Sequence, residues 1–228
     1  MYKLSPSDFA YLYEECKLCY YLKIKHAVKQ PSMPMPGVFS AMNSRLQGSV
    51  VGKKLQTLSS ELPDGIVVKQ EGWVESVPVQ GTSVFIKGKY DLLMENPDKT
   101  FTLIDLKISL ADIGKIDKYK TQLNSYKFAL ENPETGDSIK ITKLGLLIFY
   151  PDEVLYKDNN AFVSFPPKWL EVPLDTEGFV IFAQEIDRLL SGKAPNEGAA
   201  CKWCEYRHLG DTITHTESRN EKDKTIPF

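Results

Sequence analysis

The spacing of apolar residues changes from helical to alternating and back along the chain. Phe9, Leu12, Tyr13, Cys16 and Tyr20 recur at three- and four-residue intervals, which predicts a helix with one buried face. Ser5-Pro6-Ser7-Asp8 suits its start, with Ser5 as cap, Pro6 at the first helical position and Asp8 placed to reach back. A basic stretch (Lys23, Lys25, His26, Lys29) and a bend through Pro31, Pro34 and Pro36 follow, and the prolines exclude regular structure. A second helical pattern covers 39–58, with Phe39, Met42, Leu46, Val50 and Leu58 as buried positions and Gly48 and Gly52 weakening it. Between 66 and 109 the period shortens. Segments 66–77, 83–95 and 100–109 are rich in β-branched and aromatic residues and predict strands. Asn96-Pro97-Asp98-Lys99 is turn chemistry that makes the last two a hairpin. A helix is predicted over 114–130 with Tyr119, Leu123, Tyr126 and Leu130 in one stripe, then a strand over 144–150 buried on both faces. Weaker strands at 161–165 and 169–174 follow a polar loop, and 176–190 is an amphipathic helix stopped near Gly192 and Pro195. With no repeat and no linker, the pattern predicts one α/β domain over 1–208 and a polar, mobile tail over 209–228.

Composition narrows the function classes. At 228 residues and 42% hydrophobic content, the chain can bury a core, which excludes disorder over most of its length. Lys and Arg number 28 against 30 Asp and Glu, so a nucleic-acid partner would have to be held by a local patch and not by a chain-wide field. Lys115, Lys118, Lys120 and Lys127 on the third helix are candidates for that patch, or for a solvated face. The longest apolar run falls far short of the roughly 20 residues that span a bilayer, so no membrane role is expected. The first residues lack a secretory signal, which points to an intracellular, cytoplasmic setting. In that reducing setting the four cysteines, paired as Cys16-x-x-Cys19 and Cys201-x-x-Cys204, read first as metal ligands and only second as disulfides, the plain alternative being reduced cysteines buried for packing. Tetrahedral thiolate ligation suits Zn²⁺ or an iron-sulfur cluster, and the spacing does not separate them.

The hairpin carries the reactive residues. In Leu103-Ile104-Asp105-Leu106-Lys107-Ile108, Asp105 and Lys107 leave one face of the strand while the aliphatic residues leave the other. A turn centred on Pro97 and Asp98 sets Asp91 across from Ile104 or Asp105. Two carboxylates and an ammonium then crowd one spot, a group able to hold Mg²⁺ or Mn²⁺ through hard oxygen ligands. The plainer alternative is a strand-edge ion pair with Asp91 exposed nearby. Gln122 and Tyr126, four residues apart, share a helical face on which an amide and a phenol can meet a phosphate or a base, or can simply flank the core.

Gly88-Lys89-Tyr90-Asp91, Asp105-Leu106-Lys107 and Gln122-Leu123-Asn124-Ser125-Tyr126, in this order and flanked by the cysteine pairs, resemble the PD-(D/E)XK nuclease superfamily. Within it they are similar to the RecB-like branch and its CRISPR-associated four-cysteine exonucleases. The resemblance implies a restriction-endonuclease-like α/β fold, a mixed central β-sheet flanked by helices. It also implies metal-dependent hydrolysis of DNA, as an exonuclease on single strands or duplex ends, in repair, recombination or CRISPR adaptation beside other DNA-processing proteins. Asp91, Asp105 and the Leu106 carbonyl would bind Mg²⁺ or Mn²⁺, Lys107 would position or help deprotonate a water, Gln122 and Tyr126 would hold the DNA strand, and Cys16, Cys19, Cys201 and Cys204 would bind a 4Fe-4S cluster or structural Zn²⁺. Two departures stand out. Segment 39–58 has no His where many RecB-like members carry a metal ligand, Gln47 being the nearest polar candidate, and the cysteines split two and two instead of one and three. The missing His motivates an alternative, a catalytically weak nuclease-fold subunit that binds nucleic acid or acts as an adaptor.

Overall fold

The computed structural model describes residues 1–31, 34 and 36–222, with side chains as far as 213, so parts of the proline-rich bend and the end of the polar tail lie outside the described residues. In chain order the elements are β1 (Tyr2–Leu4), α1 (Lys17–His26), α2 (Gly37–Val50), β2 (Ile66–Glu75), β3 (Val84–Glu95), β4 (Phe101–Ile108), α3 (Gly114–Glu131), β5 (Ile141–Phe149), β6 (Glu153–Lys157), β7 (Asn160–Ser164), β8 (Pro167–Val172), α4 (Thr176–Ser191) and α5 (Lys202–Lys222).

β3 is the axis of the main sheet. β2 pairs antiparallel along one of its edges from Lys87 to Glu95, while on the other edge β1 pairs parallel at Val84–Ile86 and β4 antiparallel at Leu92–Glu95. β5 then runs parallel to β4, and β8 antiparallel to β5, which completes a mixed sheet. Its alternating side chains feed two cores. Leu103, Leu146 and Ile148 pack with Leu123 of α3 and with Phe179 and Ile186 of α4, whereas Leu92, Met94, Ile104, Leu106 and Leu147 meet Val50 and the loop residues Leu55 and Leu62 beyond α2. β5 is thus buried on both faces, as its dense apolar run predicts. No helix of the described residues is long and apolar enough to cross a membrane.

The N-terminal segment departs from the predicted continuous helix. Pro6–Asp8 is a 3₁₀ turn without a Ser5 side-chain cap, Phe9–Tyr13 is a π-helical turn, and α1 begins only after Cys16, whose backbone is extended (φ −158°, ψ 107°). Cys16 instead turns its sulfur to accept the Cys19 amide at 3.5 Å. The gathering of cysteine sulfurs thus overrides local helix periodicity.

α2 stops at Val50, ahead of Gly52 (φ 76°), so Leu58 is exposed, as is Phe39 at the other end. The expected polar loop before 161 holds β6, which forms an exposed hairpin with β7 through Asp158 and Asn159 in left-handed conformations, a type I′ signature. The polar segment from 209 is helical as far as Lys222.

Gly145 in β5 lies under Trp169 of β8, whose ring comes within 2.1 Å of where a Cβ would sit. Gly145→Ala is expected to lower stability by about 1–3 kcal/mol through overpacking. Urea unfolding measures this, and an unchanged midpoint would show that the ring moves aside without cost.

Candidate active site

The pairing of β3 with β4 ends at Leu92–Ile104, one step before Asp91 and Asp105 would face each other. From there the strands part. Between the stretches taken by β1 and β4, this edge of β3 has no strand partner, and side chains satisfy the backbone groups that a closed ladder would pair. Asp91 Oδ2 accepts the Leu106 amide at 2.9 Å, and the Tyr126 hydroxyl donates to the Lys89 carbonyl at 2.8 Å. Gly88 makes room for the phenol, since a Cβ there would lie 2.9 Å from the Tyr126 oxygen and 3.0 Å from Pro6.

Asp105 is 6% exposed. Its Oδ1 accepts from Gln122 Nε2 at 3.1 Å, and its Oδ2 lies 2.7 Å from Lys107 Nζ in an ion pair that lacks an aligned hydrogen bond. The Lys107 ammonium stands 4.5 Å from the centre of the Tyr119 ring, and the Tyr119 hydroxyl is 2.6 Å from that of Tyr11, which the π-helical turn presents. Tyr11 and Tyr119 were missed as site residues. Tyr119 reads as one more member of the α3 core stripe, and only the break in the N-terminal helix carries Tyr11 to it.

The electrostatics follow from burial. Desolvation and then the charge of Asp105 push Asp91 up to about 6, against the pull of the Leu106 amide and Lys107. Burial likewise raises Asp105 despite Lys107. Burial favours neutral Lys107, but the two acids outweigh it, so the ammonium is held above its ordinary range. Two acids that resist joint ionisation, one with an oxygen free of any aligned donor, fit a divalent cation, whose charge relieves the repulsion. Gln47, the polar candidate noted on the second helical segment, lies in α2. It is fully buried with neither amide atom partnered, on the helix whose preceding turn, at Phe39, Ser40 and Asn43, lines a cleft of about 650 Å³ with Leu106, Lys107 and Ile108.

The structure therefore brings Asp91, Asp105, Lys107, Gln122 and Tyr126 together, but it turns the last two inward. At 6% and 5% exposure, Gln122 and Tyr126 have their polar ends engaged within the protein, the first on Asp105 and the second on the Lys89 carbonyl. The expected basic patch is also reduced. Lys120 is paired with Asp175 at 2.6 Å, Lys127 is buried against Glu131, and Lys118 lies over the Tyr11 ring.

The four cysteines gather between the start of α1 and the start of α5, all sulfurs within 4.8 Å of one another and none in a disulfide. Cys16 Sγ also accepts the Gly198 amide at 3.2 Å. Burial alone would raise its thiol, but the Gly198 and Cys19 amides bring it down to about 7. Gly198 is a third missed residue, since a Cβ there would fall 2.4 Å from the Glu15 carbonyl oxygen and block the approach. The donor set suits a soft or borderline metal.

A family model for the PD-(D/E)XK nuclease superfamily matches residues 50–209, a span that includes both acids, Lys107, Gln122, Tyr126 and the second cysteine pair but not Cys16, Cys19 or Gln47. Among solved structures, the crystal structure of SSO0001 is similar, with a TM-score of 0.53 and 18% identity over 91% of this chain and 84% of that one. At that identity the likeness is one of fold. No curated protein matches the sequence.

Because the Asp91 carboxyl is raised in the folded state, its neutral form stabilises the metal-free protein below about pH 4, and that contribution is lost as the pH rises to about 6. Asp91→Asn keeps an acceptor for the Leu106 amide without the charge. Relative to the parent in a chelator, it is expected to gain stability across this window, by about 2 kcal/mol above pH 6 after allowance for partial exposure. Urea unfolding of both proteins from pH 4 to 7.5 tests this, and a constant difference would disprove it.

Proposed function

As a member of the PD-(D/E)XK nuclease superfamily, the chain carries the fold of a nucleic-acid-cutting enzyme, and we propose that the β3–β4 fork is the active site of a metal-dependent deoxyribonuclease of the RecB-like branch. The observation that carries this reading is the convergence of Asp91, Asp105 and Lys107 on one opened pair of strands. Asp91, Asp105 and the Leu106 carbonyl hold Mg²⁺ or Mn²⁺, and the buried amide of Gln47 offers a further neutral oxygen in place of the absent His. When bound, the ion lowers the pKa of water and offsets charge on the scissile phosphate.

The remaining steps belong to the chain's own residues. Lys107, 2.7 Å from Asp105, positions or helps deprotonate the attacking water, and its ammonium offsets charge on the phosphate. Tyr119 is its positioning residue, holding the ammonium against a ring face. Gln122 fixes the Asp105 carboxylate, and Tyr126 anchors the β3 backbone two residues before Asp91. Beside Lys107, the cleft under Phe39 has the volume of a small-ligand site and an apolar, half-exposed aromatic wall, which suits one or two unpaired nucleotides better than a duplex. This supports exonuclease action on single-stranded or frayed ends; a role in intracellular DNA repair, recombination or CRISPR adaptation alongside other DNA-processing proteins rests on the family resemblance alone.

Asp105→Ala and Lys107→Ala are each expected to reduce Mn²⁺-dependent cleavage of end-labelled single-stranded DNA at least about 10³-fold while the circular dichroism spectrum is unchanged. Full activity in either variant rejects the mechanism. A parent protein that binds the DNA but cuts nothing with either ion indicates the adaptor alternative. For the positioning role, Tyr119→Leu should lower kcat about 10-fold with KM little changed, and Tyr119→Phe should retain most activity because the ring remains. Equal losses in the two variants would assign the effect to the hydroxyl pair with Tyr11.

A further inference from the structure

The sulfur geometry bears on what the cysteines hold. Cys16 and Cys204 lie 3.9 Å apart, Cys19 and Cys201 3.8 Å, and Cys19 and Cys204 3.7 Å, with every pair within 4.8 Å. Four thiolates around one ion at about 2.3 Å stand at the corners of a tetrahedron whose edges are about 3.8 Å. A 4Fe-4S cluster gives each thiolate its own iron at a separate corner, so the body of the cluster keeps the cysteine sulfurs out of mutual contact. Three of the six sulfur pairs already stand at that edge length and the others lie within 4.8 Å, a spacing that matches ligands sharing one ion.

We infer that Cys16, Cys19, Cys201 and Cys204 bind a single Zn²⁺ ion as a closed structural site. Ligand order supports this, because each Cys-x-x-Cys pair lies at the start of a helix and supplies two adjacent corners. The amides of Gly198 and Cys19, aimed at Cys16 Sγ, supply the outer hydrogen bonds that offset the surplus negative charge of four thiolates on a divalent ion. With four protein ligands and no open position, the ion has no part in the cleavage chemistry. It ties residues 188 apart in sequence and fixes the path of the segment that carries Tyr11.

The test is independent of nuclease activity. The full chain, purified anaerobically, is analysed for metals and acid-labile sulfide. The inference expects one zinc per chain, no iron, no sulfide and no visible absorbance. Metal-free protein titrated with Co²⁺ is expected to saturate at one equivalent with the ligand-field bands of a tetrahedral sulfur site, and removal of zinc is expected to lower the melting temperature by about 10 °C or more. Iron with sulfide would overturn the inference, and so would a metal-free protein with an unchanged melting temperature.

Discussion

Two carboxylates placed across an opened pair of strands are the constraint around which this molecule is arranged. Asp91 and Asp105 occupy what would be the next rung of the β3–β4 ladder, and that rung is not formed. The freed backbone groups are taken by side chains, the Leu106 amide by Asp91 and the Lys89 carbonyl by Tyr126. A fork of this kind cannot zip shut without breaking both contacts, so the opening is part of the native state. Its cost is two acids that cannot both be ionised cheaply, a repulsion that the proposed divalent cation would relieve.

α3 serves the fork with a single face. Tyr119, Gln122 and Tyr126 lie three and four residues apart, so one helical stripe delivers a ring to Lys107, an amide to Asp105 and a hydroxyl to the backbone before Asp91. All three are also buried against the sheet, which means that core packing and site geometry are set by the same contacts. Residues of this type locate charge with little freedom of movement, as preorganised electrostatic catalysis requires.

The cysteine cluster and the fork are linked through the chain between them. Extended backbone at Cys16 ends the irregular N-terminal segment, and the π-helical turn just before it places Tyr11 over α3, where its hydroxyl meets that of Tyr119. Gathering four sulfurs from the two ends of the chain thus also fixes the outer wall beside Lys107.

What the sequence determines is whatever depends on local pattern. The strands of the hairpin, its turn, α3 and α4, and the pairing of Asp91 with the Asp105 region follow from periodicity and turn chemistry, because side-chain alternation and register are local properties. Tertiary structure alone decides where contacts between distant segments outweigh those preferences. It breaks the first helix at Cys16 because the sulfur is needed elsewhere. It buries Gln47 where periodicity selects aliphatic neighbours, and it engages the polar ends of Gln122 and Tyr126 within the protein, on Asp105 and the Lys89 carbonyl. Gly88 and Gly198 show the same limit. Each is required by the close approach of a residue far away in sequence, Tyr126 for one and Cys16 for the other, and no window along the chain contains both partners.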